Sequence, residues 1–326
     1  MFLSSAAWLS LALCGGVDAE GIDAVVADLR AGREERGLER VARLEPAEVE
    51  RLVGLLARVE PLGEGESLSF DERAQLLSVL DRLDPEAVLG AVDRRVDATL
   101  PLAVLVELFA IAASTGDPRA VDSIVGTFDA VEESARQSRV VRCGLRSALQ
   151  AVAESEAQAA LAVARVALDH ESSLLLASDA VEALGETRSP VVVPALERVL
   201  ASSRGLEVDA LQALGQLELR LPVRALHTAR DLVEAALLSR VSAERAAAAT
   251  ALATLGNFDS ATALAPLVED DDLRTRLAAR ATLTVLARRV RRSSSSTRGA
   301  SAVAESKLPS VARAVAAAAR SADTRE

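Results

Sequence analysis

Between Gly21 and Val290 the chain repeats one phrase: an Ala- and Leu-rich run, a small-residue stop, then a stretch whose apolar and polar positions divide between two faces of a helix. Thr115-Gly116, Leu184-Gly185, Leu214-Gly215 and Leu255-Gly256 mark the stop. Read as helices joined by short loops, the pattern predicts spans of 46–59, 70–83, 85–98, 101–114, 118–130, 138–153, 156–169, 173–184, 190–202, 206–217, 222–239, 243–255, 259–269 and 272–290. Short connections turn each helix back on the one before, so consecutive helices form antiparallel hairpins and the hairpins stack. Starts are marked by a capping side chain before a proline at Asp84-Pro85, Asp117-Pro118 and Ser189-Pro190, and by a capping box at Ser69 and Glu72. Val191-Val192-Val193, the nearest approach to a strand, lies between Pro190 and Pro194 and reads as a first helical turn.

The glycine markers are 69, 30 and 41 residues apart, and 69 is two units with a missing marker near Ala153-Glu154-Ser155. Arg204 and Arg245 each stand eleven residues before their glycine, whereas Leu174 holds that place before Gly185. Glu244 to Asn257, followed by Ala261 to Val268 and by Leu273-Arg274 opening the next unit, resembles the short HEAT-like repeat also found in phycobilin lyases. The resemblance is good over 240–290, fair over 110–220 and weak before 100, where the Leu-Gly marker is missing. The expected fold is all-α, a right-handed α-solenoid of stacked antiparallel helix hairpins. Ala246 to Ala249 let neighbouring helices approach, while Leu252, Leu255, Leu264 and Leu267 supply buried apolar area. Glycine after the helix is expected to take the left-handed cap conformation, making Gly256→Val poorly tolerated.

Composition supports the same class. At 326 residues the chain exceeds a single compact core, and half of it is apolar but only 2% aromatic, with no Tyr. The interior must be built from Ala, Leu and Val, a mixture that favours helix over strand. A net charge of -11, with Lys307 the only lysine, argues against a nucleic-acid surface, which needs a basic stripe and exposed aromatics.

Phe2 to Gly16 is apolar and is followed by Val17-Asp18-Ala19, so residues 1–19 resemble a secretory signal peptide that lacks a basic n-region; the competing reading is a buried first helix. The stretch is shorter than the about 20 residues of a membrane-spanning helix, and no integral span is expected. Leu11 to Gly15 also resembles a lipobox with Cys14 as acceptor, although Leu13 is bulky for that pattern. The remainder divides into degenerate or capping hairpins over 20–100, the repeat array over 101–290, a Ser/Arg linker over 291–307, and a helix and tail over 308–326.

Candidate chemistry is sparse. His170 and His227 are isolated, and no metal spacing or nucleophile elbow occurs. Cys143 lies near Arg142 and Arg146, a setting for a lowered thiol pKa, yet burial as a small hydrophobe is the expected fate. Glu269-Asp270-Asp271-Asp272 lacks the alternation of a calcium loop and reads as helix capping. Arg288, Arg289, Arg291 and Arg292 read as a helix end or a contact with an acidic membrane surface. Arg139, Arg142 and Arg146 share one helix face opposite Val141, Leu145 and Leu149, either as a solvated face or as a receptor for an acidic peptide. The expectation is a non-enzymatic scaffold without cofactor or metal that binds another protein, in the periplasm or secreted. The alternative is a cytoplasmic accessory or regulatory subunit of an enzyme, lyase-like or holding a chromophore-bearing partner.

Overall fold

The computed structural model describes residues 21–57, 68–78, 80–97, 99–169, 172–202, 205–217, 222–257 and 259–296. The expected signal segment with Cys14, and also His170, Arg204 and the segment 308–326, lie outside the described residues. Every regular element among them is helical, and the chain divides into two compact units between Ala148 and Leu149. The first unit holds α1 (Ile22–Arg30), α2 (Glu34–Val41), α3 (Pro46–Leu56), α4 (Phe70–Leu77), α5 (Pro85–Asp93), α6 (Leu102–Ala113), α7 (Ala120–Ala130), the single turn α8 (Glu133–Arg136) and the start of α9 (Arg139–Ser155). The second continues with α10 (Ala157–Leu168), α11 (Leu174–Gly185), α12 (Val192–Ala201), α13 (Glu207–Gln216), α14 (Val223–Ala236), α15 (Ser242–Leu255), α16 (Ser260–Leu264) and α17 (Leu273–Ser296).

Local chemistry accounts for most boundaries. Both halves of the Ser69/Glu72 capping box form, and Asp84 accepts the Glu86 amide with Pro85 in the first turn. At Asp117 the cap precedes the helix: the carboxylate accepts the Arg119 amide at 2.7 Å, and α7 opens at Ala120. Ser189 caps nothing with its side chain, because its carbonyl and that of Pro190 accept the amides of Val192 and Val193 in a tight turn before α12. The span expected over 259–269 changes to a 3-10 helix at Ala265–Glu269, where Pro266 has no amide to donate. The linker expected from residue 291 is also corrected, since α17 runs on to Ser296. Serine costs a helix only a few tenths of a kcal/mol, roughly, relative to the best formers, so a long helix propagates through it.

In the first unit α3, α5 and α7 lie side by side in sequence order, with α6 against all three. These helices share a 36-residue register that the Leu-Gly marker does not reveal. Leu52, Val88 and Ile124 correspond, as do Leu56, Val92 and Phe128, and all six are fully buried. On the same register fall Gly54, Gly90 and Gly126, and one turn earlier the carboxylates Glu50, Glu86 and Asp122. This part of the chain is therefore as periodic as the rest.

In the second unit α11, α13, α15 and α17 form one row, while α10, α12 and α14 form the other. The first row is parallel, because starts meet starts and ends meet ends. Thr275 Oγ1 donates to Ser242 O at 3.1 Å, Thr282 Oγ1 to Ala249 O at 2.7 Å, and Arg289 Nη1 to Thr254 O at 2.8 Å, tying α17 to α15 along its length. Thr254 Oγ1 donates likewise to Gly215 O in α13. Each threonine satisfies its buried hydroxyl on the backbone of the preceding row member, which holds the helices in register at close range.

The glycine markers serve that closeness. Of the four, only Gly116 is left-handed, at φ 66°. Gly256 is extended at φ -64° and ψ 145°, so the expected left-handed cap is not its role; a Cβ there would meet Leu252 O. Gly185 and Gly215 are the last and next-to-last residues of their helices, where a Cβ would come within 2.7 Å of Ala213 Cα and 2.9 Å of Ala251 Cα. Neither backbone can move without shifting a whole helix. Gly185→Val should therefore lower the unfolding free energy by roughly 1–3 kcal/mol, measured by urea denaturation, whereas a cap-only role would leave it nearly unchanged.

Candidate protein-binding surface

The face carrying Arg139, Arg142 and Arg146 forms on α9 as the spacing requires, with Val141, Leu145 and Leu149 fully buried opposite. Arg139 is exposed, and Arg142 and Arg146 are half-buried. Cys143 is exposed rather than buried, because it falls on the arginine side of the helix, where Arg146 Nη2 lies 3.5 Å from its sulfur. His227 is exposed on α14. Among the described residues no group of three or more His, Cys, Asp or Glu side chains is arranged to hold a metal.

The acidic run closes a loop. Arg245 grips Asp270 through two 2.8 Å bonds and also donates to the carbonyls of Ser239 and Arg240. Asp272 caps α17 by accepting the Thr275 amide at 3.1 Å. Arg276 repeats the position 31 residues later, donating to the carbonyls of Asp270 and Asp271 six and five residues before it, as Arg245 does to Ser239 and Arg240. The arginine of this repeat is thus a staple for its own loop. The marker position of Arg245 is legible in the sequence, whereas its equivalent in the next unit is Arg276 rather than the expected Arg274, and the acceptors of neither are legible.

The parallel row brings helix starts to one edge, and the starts of α11, α15 and α17 carry exposed aliphatic side chains. Leu174, Val241 and Leu273 at the openings of α11, α15 and α17 are 60%, 51% and 58% exposed, and Leu277, one turn further on, is 55% exposed. In the first unit Leu102 and Val140 hold the corresponding places on α6 and α9. Single exposed aliphatics are ordinary, but three of the four openings of the second unit's row carry one, at the cap or the first helical residue, while Leu206 before α13 is buried; that repetition is the pattern of a contact edge.

A second feature lies between α5 and α7, a groove of about 680 Å³. Leu89, Gly90, Gly126, Thr127 and Ala130 line it together with Glu86, Asp93, Asp122 and Arg119. A glycine inside a helix costs roughly 1 kcal/mol relative to alanine. The chain's own packing does not require either one: a Cβ on Gly126 would meet nothing within 4 Å, and one on Gly90 only the flexible end of Arg94 at 3.4 Å.

The Asp270 carboxyl is held below its ordinary range, first by the hydrogen bonds from Arg245 and further by the Asp272 amide, against the opposing effect of desolvation. A carboxyl with a depressed folded value contributes stability that is complete above its unfolded value of about 3.9 and is lost as pH falls through the folded value. Asp270→Asn should remove about 1.5–3 kcal/mol at neutral pH and flatten the loss of stability below about pH 4, followed by thermal unfolding across pH.

No family model matches the chain, and no curated protein does. Among solved structures, human deoxyhypusine hydroxylase in complex with glycerol aligns over 73% of this chain and 96% of its own, at 17% identity and a TM-score of 0.33. A likeness of that size adds nothing to what the packing already shows, an all-α chain whose helices pack sequentially as neighbouring pairs.

Proposed function

We propose that this chain is a non-enzymatic HEAT-like repeat scaffold that binds another protein outside the cytoplasm. The observation that carries the reading is the set of exposed aliphatic side chains at the openings of three of the four helices in the second unit's parallel row, Leu174, Val241, Leu273 and Leu277. Stacked repeats offer long surfaces of this kind, and the apolar side chains there gain about 25 cal/mol per Å² when a partner covers them. Arg139, Arg142 and Arg146 add a basic strip on α9 suited to an acidic segment of that partner. The HEAT-like reading rests on the phrase Glu244 to Asn257, and the extracytoplasmic reading on residues 1–19.

Chemical cross-linking in the native host tests the scaffold reading. The wild-type chain should yield one defined cross-linked protein, and a Leu174→Asp/Val241→Asp/Leu273→Asp variant should lose it while keeping its thermal midpoint; an unpartnered wild-type chain would contradict the reading. Trp8 is the single Trp and Tyr is absent, so an exported chain cut after Ala19 should begin at Glu20 and be nearly invisible at 280 nm. Intact mass and absorbance of the fractionated protein check this, and an uncut chain in the cytosol would favour the enzyme-accessory alternative.

A further inference from the structure

The groove between α5 and α7 carries three features that internal packing leaves unexplained. Gly90 and Gly126 occupy equal places on neighbouring helices, and neither is needed by the fold. Thr127 is 2% exposed, and its Oγ1 has no hydrogen-bond partner among the described residues. Three exposed carboxylates, Glu86, Asp93 and Asp122, stand against one arginine, Arg119, which is engaged with Asp117 through two 3.0 Å bonds and lies 3.7 Å from one oxygen of Glu86. Asp93 is in part satisfied by the Ser123 hydroxyl, so the net character of the rim is acidic with acceptors to spare.

We propose that this groove receives an arginine-bearing helix of another protein, with a guanidinium set among Glu86, Asp122 and Thr127 Oγ1. The proposal rests on the scaffold reading above and names the chemistry of one partner. Bare glycines on adjacent helices let a third backbone approach as a ridge laid into a groove, which a side chain at either position would prevent. A guanidinium has five donors in a planar fork, enough to pair a carboxylate through two bonds and still reach a hydroxyl, whereas an ammonium is a single point of charge. Nucleic acid does not fit, because the rim would repel phosphate. A bound metal does not fit either, since the carboxylates are not arranged around one point.

The test uses the whole chain and a fluorescein-labelled, alanine-based peptide of about 16 residues with arginine at every fourth position, long enough to sample helix. Fluorescence anisotropy at low salt should show saturable binding, at least about tenfold weaker for Gly126→Leu and for a peptide with glutamate in place of arginine. Because the Gly126 site is open, the Leu variant should keep or raise the thermal midpoint. Thr127→Val should move two readouts in opposite directions, raising the midpoint by removing an unpaired buried hydroxyl and weakening the peptide. A lysine peptide binding as well as the arginine one would overturn the guanidinium assignment. Equal binding by Gly126→Leu, or no binding by wild type, would overturn the site. If Gly126→Leu still captures the native cross-linked partner, the groove assignment falls and the scaffold stands. If wild type captures none, the scaffold itself falls.

Discussion

The second unit depends on how closely the helices of one row approach. At Gly185 and Gly215 the neighbouring helix leaves room for a hydrogen atom and nothing larger, and Ala213 and Ala251 are the residues opposite. At that separation a threonine on one helix can reach a carbonyl on the next, as Thr254, Thr275 and Thr282 do. Close approach and hydroxyl bonding reinforce one another. A bulkier residue at Gly215 would lengthen the Thr254 bond across that seam, and the buried Thr282 hydroxyl depends in the same way on the approach of α17 to α15.

Once the row is parallel, function-bearing geometry comes with it. Helix starts align along an edge, so a residue type recurring at first-turn positions becomes a stripe; Leu174, Val241 and Leu273 are such a set. The loops behind that edge are held by arginine. Arg245 and Arg276 fold back on their own approach segments, while Arg230 and Arg289 occupy the last carbonyls of α15. These charges therefore build the repeat, whereas the aliphatic side chains at the edge stay exposed.

Helix content and most helix positions were legible because alanine, leucine and proline-marked starts act locally, and Asp84-Pro85 and Ser69/Glu72 behave as their side-chain chemistry dictates. The Leu-Gly phrase was legible as a marker but not in its role. A glycine at a helix end satisfies either a left-handed cap or a close neighbour, and only the neighbour's backbone distinguishes Gly116 from Gly185. The first unit looked degenerate for a related reason: its glycines, Gly54, Gly90 and Gly126, sit within helices at a spacing of 36 rather than after a leucine at their ends. The exposure of Cys143 could have been read from its place beside Arg142 and Arg146, whose helix face it shares. The groove had no sequence signal beyond that glycine register, since the orphan Thr127 hydroxyl depends on what surrounds it.

Hydrogen exchange on Gly215→Val tests the central claim most directly. If Gly215 exists to admit α15, the substitution should speed amide exchange in both 207–216 and 242–255, two helices separated in sequence by α14. Faster exchange confined to 207–216 would mean that the glycine serves its own helix alone, and would contradict the account of the row as a seam of backbones in contact.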